Sequence, residues 1–347
     1  MPFDFPQTTS KMGGPLVRQF SVFLPNKVGA MLDVVRLLNS HEIHVVAMSV
    51  SESTDAAIAR VIVSDPGGVE KLFRQNNIAY GMCEVVVVGA GFIGLEFAAI
   101  ALARGTIVHI IEVTRRPMGR VVSEPVSRFF TEAHVGWGAE VALGTGVARL
   151  LGAGGRVTGV ETTDGRHIPA DLVLICIGVI PNARLASDAG LAVDDGVVVD
   201  EYLVTSDPAI SAIGDCANFP TPFAPGRVRL ESVQNAIDQG RCVADRLAGR
   251  PVPYQKVPWF WSDQGNLKLQ IAGITIGHDT SVLRGDPADR NFSVFCFRGG
   301  RLIGVESVNR TADHVIARRL LAGDPALSPE QAADESYDLR AHARSLR

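Results

Sequence analysis

Three closely spaced glycines carry the strongest chemical signal in this sequence. The wholly apolar run Val85–Val88 leads directly into the six residues Gly89–Gly94, and the next helix breaker is Gly105. In a strand–turn–helix unit, the first glycine of G-x-G-x-x-G allows the tight turn, the second lets the backbone approach a pyrophosphate, and the third lets the helix pack on the strand. The helix N-terminus would then hold the phosphates. The dinucleotide contacts predicted from this pattern are Gly89, Gly91, Phe92, Ile93 and Gly94.

A carboxylate indicates which dinucleotide the loop would take. Glu112 ends the next strand-like run, 18 residues after Gly94. In that position it can accept hydrogen bonds from ribose hydroxyls, and it would repel a 2′-phosphate. The sequence therefore favours NAD. Arg115 and Arg116 follow closely in the sequence and leave NADP open as an alternative.

The overall composition indicates a globular protein of several domains. The 347 residues are 46% hydrophobic and 20% charged, which is enough for a sizeable core and for two or three domains. A net charge of −4 gives no reason to expect nucleic acid or an anionic membrane as a partner. The N-terminus lacks a signal-peptide pattern, and no apolar run approaches the ~20 residues of a membrane span. We therefore expect a cytoplasmic protein.

The five cysteines are far apart and include no C-x-x-C pair. This spacing indicates neither a zinc site nor a redox-active dithiol, and no other metal site is predicted. We expect reduced thiols that are mostly buried.

A separate pattern precedes the glycine loop. Residues 1–15 are expected to be loose, whereas the apolar periodicity of residues 16–82 predicts the order β-α-β-β-α-β, with Pro66 opening the second helix. The last of these strands is expected to reach Val88. Glu84–Val88 would then serve both this fold and the one that follows.

Beyond Val85, strands and helices alternate, which predicts an α/β fold with a parallel sheet. An antiparallel excursion is expected around Asp164-Gly165, the signal of a type I′ turn. The apolar run Leu172–Ile177 is typical of a strand buried on both faces. Strands are expected from Trp259 and a helix from Ala312, and the charged tail after Leu327 is expected to fray.

Several further blocks of sequence follow the glycine loop in a definite order. They are Leu172–Gly178 with Pro181-Asn182, Gly214-Asp215-Cys216, Glu231–Ala236, Trp259–Gln264, Ser307–Arg310 and Ala312–His314. In this order they resemble the pyridine-nucleotide-dependent flavoprotein reductases, and most of all the NADH-dependent ferredoxin reductases that serve cytochrome P450 and ring-hydroxylating dioxygenase systems. The resemblance runs from about Val85 to Leu321, and the missing dithiol disfavours the disulfide reductases that share this fold.

The resemblance implies an FAD-dependent oxidoreductase that passes a hydride from NADH to the flavin and then single electrons to an iron–sulfur ferredoxin. The cofactors it implies are FAD and NAD. Beyond the glycine loop and Glu112, the cofactor-site residues it implies are Gly178, Asp215, Val233, Trp259 and Trp261. Asp215 and Val233 would contact FAD, and the Trp259–Trp261 stretch would lie near the isoalloxazine. The alternatives are a helix N-cap for Asp215 and ordinary core packing for the tryptophans; no catalytic residue is predicted.

Residues 16–82 resemble instead an ACT domain, a small regulatory fold that often binds amino acids. Asn26 and Gly29, in the first strand-to-helix turn, are the candidate contacts for a ligand carboxylate, and a plain turn is the alternative. Because ACT domains commonly pair side by side, we also expect a homodimer.

The reductase family has a flavin-binding G-x-G-x-x-G ahead of its NAD motif, and residues 16–82 hold no glycines in that spacing. We therefore expect weak retention of FAD and weak or absent turnover. The alternative functions are a non-catalytic fusion that binds NAD and an amino acid, and a fusion product without function. The predicted domains are a loose N-terminus (1–15), a βαββαβ ACT-like domain (16–82), a Rossmann-type NAD domain (83–204), a partial FAD-binding segment (205–250), an α+β C-terminal reductase domain (251–327) and a tail (328–347).

Overall fold

The structure, a computed structural model, describes residues 19–25, 27–52, 56–76, 78, 80–81, 84–323 and 326–345. They form two compact units. The first consists of the described residues up to Pro117 together with Thr131–Ile177. The second consists of Met118–Phe130 and the described residues from Gly178 onward.

The described part of the first unit contains three sheets: an antiparallel N-terminal sheet, a parallel sheet and a small antiparallel sheet of three strands. Its elements are β1 (Gln19–Pro25), α1 (Ala30–Ser40), β2 (Val45–Glu52), β3 (Ala56–Val63), α2 (Pro66–Gln75), β4 (Tyr80–Gly81), β5 (Glu84–Val88), α3 (Phe92–Ala103), β6 (Ile107–Glu112), the end of α4 (Glu124–Gly136), β7 (Glu140–Leu143), β8 (Val147–Ala153), β9 (Arg156–Thr162), β10 (His167–Pro169) and β11 (Leu172–Ile175).

The N-terminal sheet confirms the predicted β-α-β-β-α-β order. Its strands are antiparallel in the order β2-β3-β1-β4. Alternate residues of each strand point to one face, and that face packs on the two helices. The core that results contains Phe20, Val22, Val34, Leu38, Ala59, Val61, Leu72 and Phe73. Helix α2 begins at Pro66, as predicted, and the side chain of Asp65 caps it by accepting from the N–H of Gly68 at 3.0 Å.

The prediction that one strand serves both sheets is wrong. The short strand β4 closes the N-terminal sheet by pairing with β1, with Tyr80 opposite Val22. Strand β5 lies in the parallel sheet β11-β5-β6-β7, where β11 and β6 take both of its edges. A strand that is paired on both edges has no backbone groups left for β1. The two sheets therefore use two separate strands: β4 ends at Gly81, and β5 begins at Glu84.

Two other predictions for the first unit also need correction. The hairpin β9–β10 forms, but its turn is not type I′, because only Gly165 of the pair Asp164-Gly165 has a positive φ (84°). A three-residue connection that ends in one left-handed glycine produces this pattern. Strand β11 is not buried on both faces: Leu172 is 45% and Ile175 58% exposed. It is the edge strand of its sheet, and apolarity alone does not distinguish an edge from a centre.

The second unit contains a small mixed sheet of three strands and the five-stranded C-terminal sheet. Its elements are the start of α4, α5 (Arg184–Asp188), β12 (Val197–Val198), a 3₁₀ turn (Gly214–Cys216), β13 (Ala217–Pro220), β14 (Arg227–Arg229), α6 (Val233–Leu247), β15 (Trp259–Gln264), β16 (Leu267–Gly273), β17 (Thr280–Asp286), a second 3₁₀ turn (Pro287–Asp289), β18 (Asn291–Arg298), β19 (Arg301–Val308), α7 (Thr311–Ala322), α8 (Pro329–Ala333) and α9 (Leu339–Ser345).

The C-terminal sheet confirms the predicted run of strands followed by a helix. It is antiparallel in the order β15-β16-β19-β18-β17, and β15 is therefore an edge strand. Helix α7 packs across β16 and β19. The core between them includes Ala272, Phe295, Phe297, Val305, Ala317 and Leu320.

The prediction that the tail after Leu327 frays is wrong. Leu327, Ala332 and Leu339 are at most 3% exposed and belong to the core of the C-terminal sheet. The guanidinium of Arg284, itself 6% exposed, donates to four backbone carbonyls of this segment. Those acceptors are Ala332 at 3.2 Å, Asp334, Glu335 at 3.2 Å and Tyr337 at 3.1 Å. An arginine in a distant strand thus holds a tail whose own composition looks mobile.

Candidate functional site

Two of the three loop glycines are required by packing. Gly89 has a φ of 97°, and a Cβ there would lie 2.3 Å from the carbonyl oxygen of Cys176. A Cβ on Gly94 would lie 2.2 Å from the carbonyl oxygen of Gly89. Both contacts are with backbone, which cannot move aside cheaply. These two positions therefore bring α3 against β5 and β11 in the way that the motif predicts.

The middle glycine faces open space. Gly91 is the N-cap of α3, and no atom lies within 4 Å of where its Cβ would be. Its φ of −79° is available to any residue, so the fold does not require glycine here. The open side lies at the N-terminus of a 12-residue helix, where backbone N–H groups and the helix dipole favour phosphate. Phe92 is half-buried and Ile93 is 68% exposed on the first turn of that helix.

Glu112 lies at the end of β6 with its carboxylate against the loop. One oxygen, Oε2, accepts from the backbone N–H of Ala90 at 2.8 Å. The other, Oε1, accepts from the backbone N–H and the hydroxyl of Thr114, both at 2.8 Å. A carboxylate oxygen has two lone pairs, so those of Oε1 are both used, whereas Oε2 can still accept from a ribose hydroxyl. The glycine loop and this carboxylate form one group within the first unit.

The predicted FAD contacts Asp215, Val233 and Trp259, together called here the flavin segment, lie in the second unit. Asp215 is exposed in the 3₁₀ turn Gly214–Cys216, which packs against α6. The N–H of Gly214 donates to Oε1 of Gln239 at 2.7 Å, and Nε2 of this fully buried glutamine has no partner among the described residues. Val233 is the first residue of α6 and is 60% exposed. The N-cap of that helix is Ser232, which accepts from the N–H of Asn235, so Asp215 does not cap it.

The two tryptophans form a pair on the edge strand β15. Their ring centroids are 5.6 Å apart with an interplanar angle of 34°, and both side chains are half-buried. The backbone of Trp259 contacts the start of α6: its N–H donates to Oε1 of Gln234 at 3.2 Å, and its carbonyl accepts from the hydroxyl of Ser232 at 3.5 Å. The structure thus brings Val233 and Trp259 into one region.

Helix α7 covers the Trp259 ring with two side chains. The guanidinium carbon of Arg318 lies 4.6 Å from the ring centroid of Trp259. The imidazole of His314 makes an edge-on contact at 5.6 Å between centroids. His314 is 2% exposed, and burial, reinforced by the charges of Arg318 and Lys268, lowers its pKa to about 4. It is therefore neutral at physiological pH.

The remaining predicted positions stand apart from these two groups. Gly178, exposed and with a φ of 110°, is where the chain re-enters the second unit. In the N-terminal fold, Gly29 is the N-cap of α1 with a φ of 95°, and nothing lies within 4 Å of where its Cβ would be. Asn26 lies outside the described residues.

Sequence reasoning missed the side chains that support the site: Gln234, Gln239, His314 and Arg318. The glutamines sit in α6 among ordinary polar residues, and nothing in the sequence says which of them is buried. His314 and Arg318 are four residues apart, so both lie on one face of α7. That spacing is visible in the sequence, but the indole they cover is far away along the chain.

Four of the five cysteines lie among the described residues. Cys176, Cys216, Cys242 and Cys296 are free; Cys296 is buried and the other three are half-buried, while Cys83 lies outside the described residues. Burial raises the pKa of the thiols of Cys176, Cys242 and Cys296. Among the residues described, no helix has the length and apolarity that crossing a bilayer requires.

Comparison with known sequence families agrees with this arrangement. The pyridine nucleotide-disulphide oxidoreductase family matches residues 61–240, just over half of the chain. The chain therefore belongs to the pyridine nucleotide-disulphide oxidoreductase family. A reductase C-terminal family matches residues 259–343, and an ACT domain pair family matches residues 16–91.

Individual relatives are reductases, several of which are named ferredoxin reductases. The chain is 54% identical over 256 residues to rhodocoxin reductase of Rhodococcus erythropolis, which covers 74% of this chain and 60% of that protein. It is 40% identical over 258 residues to putidaredoxin reductase CamA of Pseudomonas putida, covering 74% and 61%. The chain thus spans about three fifths of the length of the curated relatives it matches.

Solved structures show the same likeness. The ferredoxin reductase of the CYP199A2 system from Rhodopseudomonas palustris matches with a TM-score of 0.74 and 49% identity, over 82% of this chain and 69% of that one. The covalent putidaredoxin reductase–putidaredoxin complex matches with a TM-score of 0.73 and 36% identity, over 81% and 68%. The recognised resemblances to a ferredoxin reductase and to an ACT domain are both confirmed.

Proposed function

We propose that this chain binds NADH and FAD and belongs to a ferredoxin reductase system, as its relatives do. The observation that carries the proposal is the open space at Gly91. Packing requires glycine at positions 89 and 94, but at position 91 the protein itself leaves room for a Cβ. A ligand that must approach the backbone closely explains a glycine there, and the adjacent Glu112 carboxylate suits a ribose.

The two cofactor sites would divide the chemistry between them. When bound, FAD would supply the redox chemistry between NADH and an iron–sulfur ferredoxin. Gly89–Gly94 would bind the NADH pyrophosphate, and Oε2 of Glu112 would accept from one of its ribose hydroxyls. Asp215 would accept from the ribityl chain, and the N-terminus of α6 at Val233 would face the flavin. The exposed Asp215 carboxylate, held on a turn that a buried glutamine anchors, fits this role.

We further propose that this chain alone retains FAD weakly. A nucleotide fold needs a parallel β-α-β unit with a glycine turn, but the described residues between Gln19 and Gly81 form an antiparallel sheet under two helices. Asp215 and α6 would contact the ribityl chain and ring, whereas the residues described between Gln19 and Gly81 offer the adenosine and pyrophosphate no glycine turn of this kind. Each 1.4 kcal/mol of lost contact weakens binding about tenfold, so we expect an exchangeable cofactor.

A reconstitution experiment tests both proposals. The purified chain is incubated with excess FAD, passed through gel filtration and assayed for NADH-dependent reduction of ferricyanide. We expect NADH binding by calorimetry, most of the flavin lost on the column and slow reduction. Stoichiometric yellow flavin with rapid NADH oxidation would overturn the proposal of weak retention. Absence of both NADH and FAD binding would overturn the proposed function.

The second candidate is a non-catalytic regulatory protein that binds NAD and an amino acid. The observation in its favour is the N-terminal fold, with Gly29 capping α1 in the left-handed conformation. The edge strand β2 also exposes Val46, Met48 and Val50, which are 67%, 51% and 46% exposed. An exposed apolar edge invites strand pairing, and we propose a second copy of this chain as the partner. A colourless protein that sediments as a dimer and releases heat on titration with an amino acid would favour this candidate.

A further inference from the structure

We propose that Arg318 and His314 are positioning residues for Trp259, and that Arg318 gives the Trp259–Trp261 pair a positively charged side. The inference about the flavin drawn from this arrangement rests on the proposed function. The arrangement itself is a property of the second unit and can be tested without any cofactor.

The backbone of Trp259 is poorly restrained by its own sheet. β15 is the edge of its sheet, and Trp259 is its first residue. Strand ends on a sheet edge are poorly restrained, because one side of the backbone has no neighbouring strand. Here Gln234 and Ser232 of α6 take that place by bonding the N–H and carbonyl of Trp259. The backbone is therefore held from a second element.

The indole ring of Trp259 is restrained by neighbouring side chains. Trp259 is only half-buried, so core packing does not fix its rotamer by itself. One turn of α7 supplies two contacts of different character: the Arg318 cation over the ring face and the His314 ring edge-on. Neighbouring Trp261 provides a third at 5.6 Å. Three side chains from two elements thus converge on an indole that remains partly open to solvent.

The two side chains that cover Trp259 differ in charge. His314 is neutral and buried, and neither ring nitrogen has a hydrogen-bond partner among the described residues. A buried polar ring without partners gains nothing from its nitrogens, so its contribution here is the shape of an aromatic edge. Arg318 is exposed, and its guanidinium cation is attracted to the indole face. A planar ligand stacked on the pair would meet an aromatic surface with one fixed cation.

The consequence for the proposed function concerns the reduced flavin. Reduction adds negative charge to the isoalloxazine, and a fixed cation on the neighbouring indole would stabilise that charge. Loss of Arg318 would therefore lower the reduction potential of bound flavin, whereas lysine at this position would preserve it in part. His314 would act through Trp259 by holding the ring orientation.

The test reads the tryptophan pair directly. In a Trp137→Phe background only Trp259 and Trp261 remain, since the sequence holds three tryptophans. Two indoles this close couple their transitions, and circular dichroism shows the coupling as an exciton couplet that depends on their mutual angle. We expect a couplet that Trp259→Phe abolishes. Arg318→Met and His314→Ala should remove most of its amplitude, whereas Arg318→Lys and His314→Phe should restore it.

Arg319→Met is the matched control, because Arg319 is the exposed neighbour on the same helix. It should leave the couplet unchanged. Thermal unfolding of every variant shows whether the second unit is still folded. An unchanged couplet in folded Arg318→Met and His314→Ala, or no couplet in the parent, would overturn the positioning role.

A second measurement separates this inference from the proposed function. FAD is titrated into the same proteins while tryptophan emission is recorded. Arg318→Met should weaken the apparent affinity about 5-fold, the equivalent of about 1 kcal/mol for one cation–π contact, and Arg319→Met should not. If FAD quenches the tryptophan emission of neither the parent nor any variant, the proposed flavin site is wrong. The circular dichroism couplet still tests the positioning role in that case.

Discussion

The glycine loop and the flavin segment differ in how local their construction is. The loop, its helix and its carboxylate come from the consecutive elements β5, α3 and β6, and hydrogen bonds within that stretch close the group. The flavin segment combines a turn at Asp215, a helix start at Val233 and a strand start at Trp259. A site built from one β-α-β unit is complete wherever that unit folds. A site assembled from separate segments is sensitive to what the rest of the chain provides.

The two helices concerned show the same contrast. Helix α3 buries Leu95, Ala98 and Leu102, as expected of a helix packed on its own sheet, and exposes Ile93 and Ile100. Helix α6 exposes apolar residues at its start, middle and end: Val233, Ile237 and Leu247 are 60%, 49% and 76% exposed. A contiguous exposed apolar face commonly marks an interaction surface. The described residues thus cover α3 more completely than α6.

The largest expected effect comes from filling the open space at the loop. We expect Gly91→Val to weaken NADH binding at least 100-fold, about 2.7 kcal/mol or more, because the side chain would occupy the pyrophosphate position. The fold should be unaffected, since no atom lies within 4 Å of the new Cβ. Calorimetric titration with NADH measures the loss, and thermal unfolding checks the fold.

The matched control is Gly136→Val, at the end of α4, where a Cβ would also meet nothing within 4 Å. It should bind NADH normally. Gly94→Val should fail differently, by destabilising the protein, because its Cβ would lie 2.2 Å from a carbonyl oxygen. Equal NADH affinity in Gly91→Val and the parent would remove the evidence that the loop is a local, self-sufficient site.

An effect of similar size, on stability instead of binding, concerns the C-terminal segment of the second unit. Arg284→Met should lower the free energy of unfolding by roughly 3 kcal/mol, because four carbonyls of the C-terminal segment lose a buried charged donor. Urea denaturation followed by circular dichroism measures the change. Arg290→Met, at an exposed residue with one long bond to Asn266, should change it by less than about 0.5 kcal/mol. Similar values for the two variants would show that the tail is not held by Arg284.

The smallest effect concerns nucleotide selectivity. The parent should prefer NADH over NADPH by roughly 1–3 kcal/mol, since the Glu112 carboxylate repels a 2′-phosphate at an effective dielectric near 20. Glu112→Gln removes the charge at constant shape and should narrow this gap. Dissociation constants for both nucleotides, measured at one ionic strength, test it. Equal constants in the parent would mean that Arg115 or Arg116 outweighs the carboxylate.

Sequence patterns were most informative where one element determines the outcome. The G-x-G-x-x-G spacing, Pro66 at a helix start and the β-α-β-β-α-β order all follow from local backbone preferences, and the structure confirms each of them. Predictions that depended on unseen neighbours were less reliable. The apolar run at Leu172 was expected at a sheet centre but lies at an edge, because the pairing of strands is a property of the whole sheet.

The amino-acid sequence by itself determined the nucleotide loop, the likeness to a reductase and the ACT-like order of elements. These depend on short-range spacing, which is printed in the chain. Only the tertiary structure showed that two strands, β4 and β5, replace the single predicted strand. It also showed that Arg284 holds the tail and that His314 and Arg318 cover Trp259. Each of these outcomes joins residues far apart in sequence. Their contacts arise from the packing of whole elements, and no local pattern specifies which distant side chain will fill a given space.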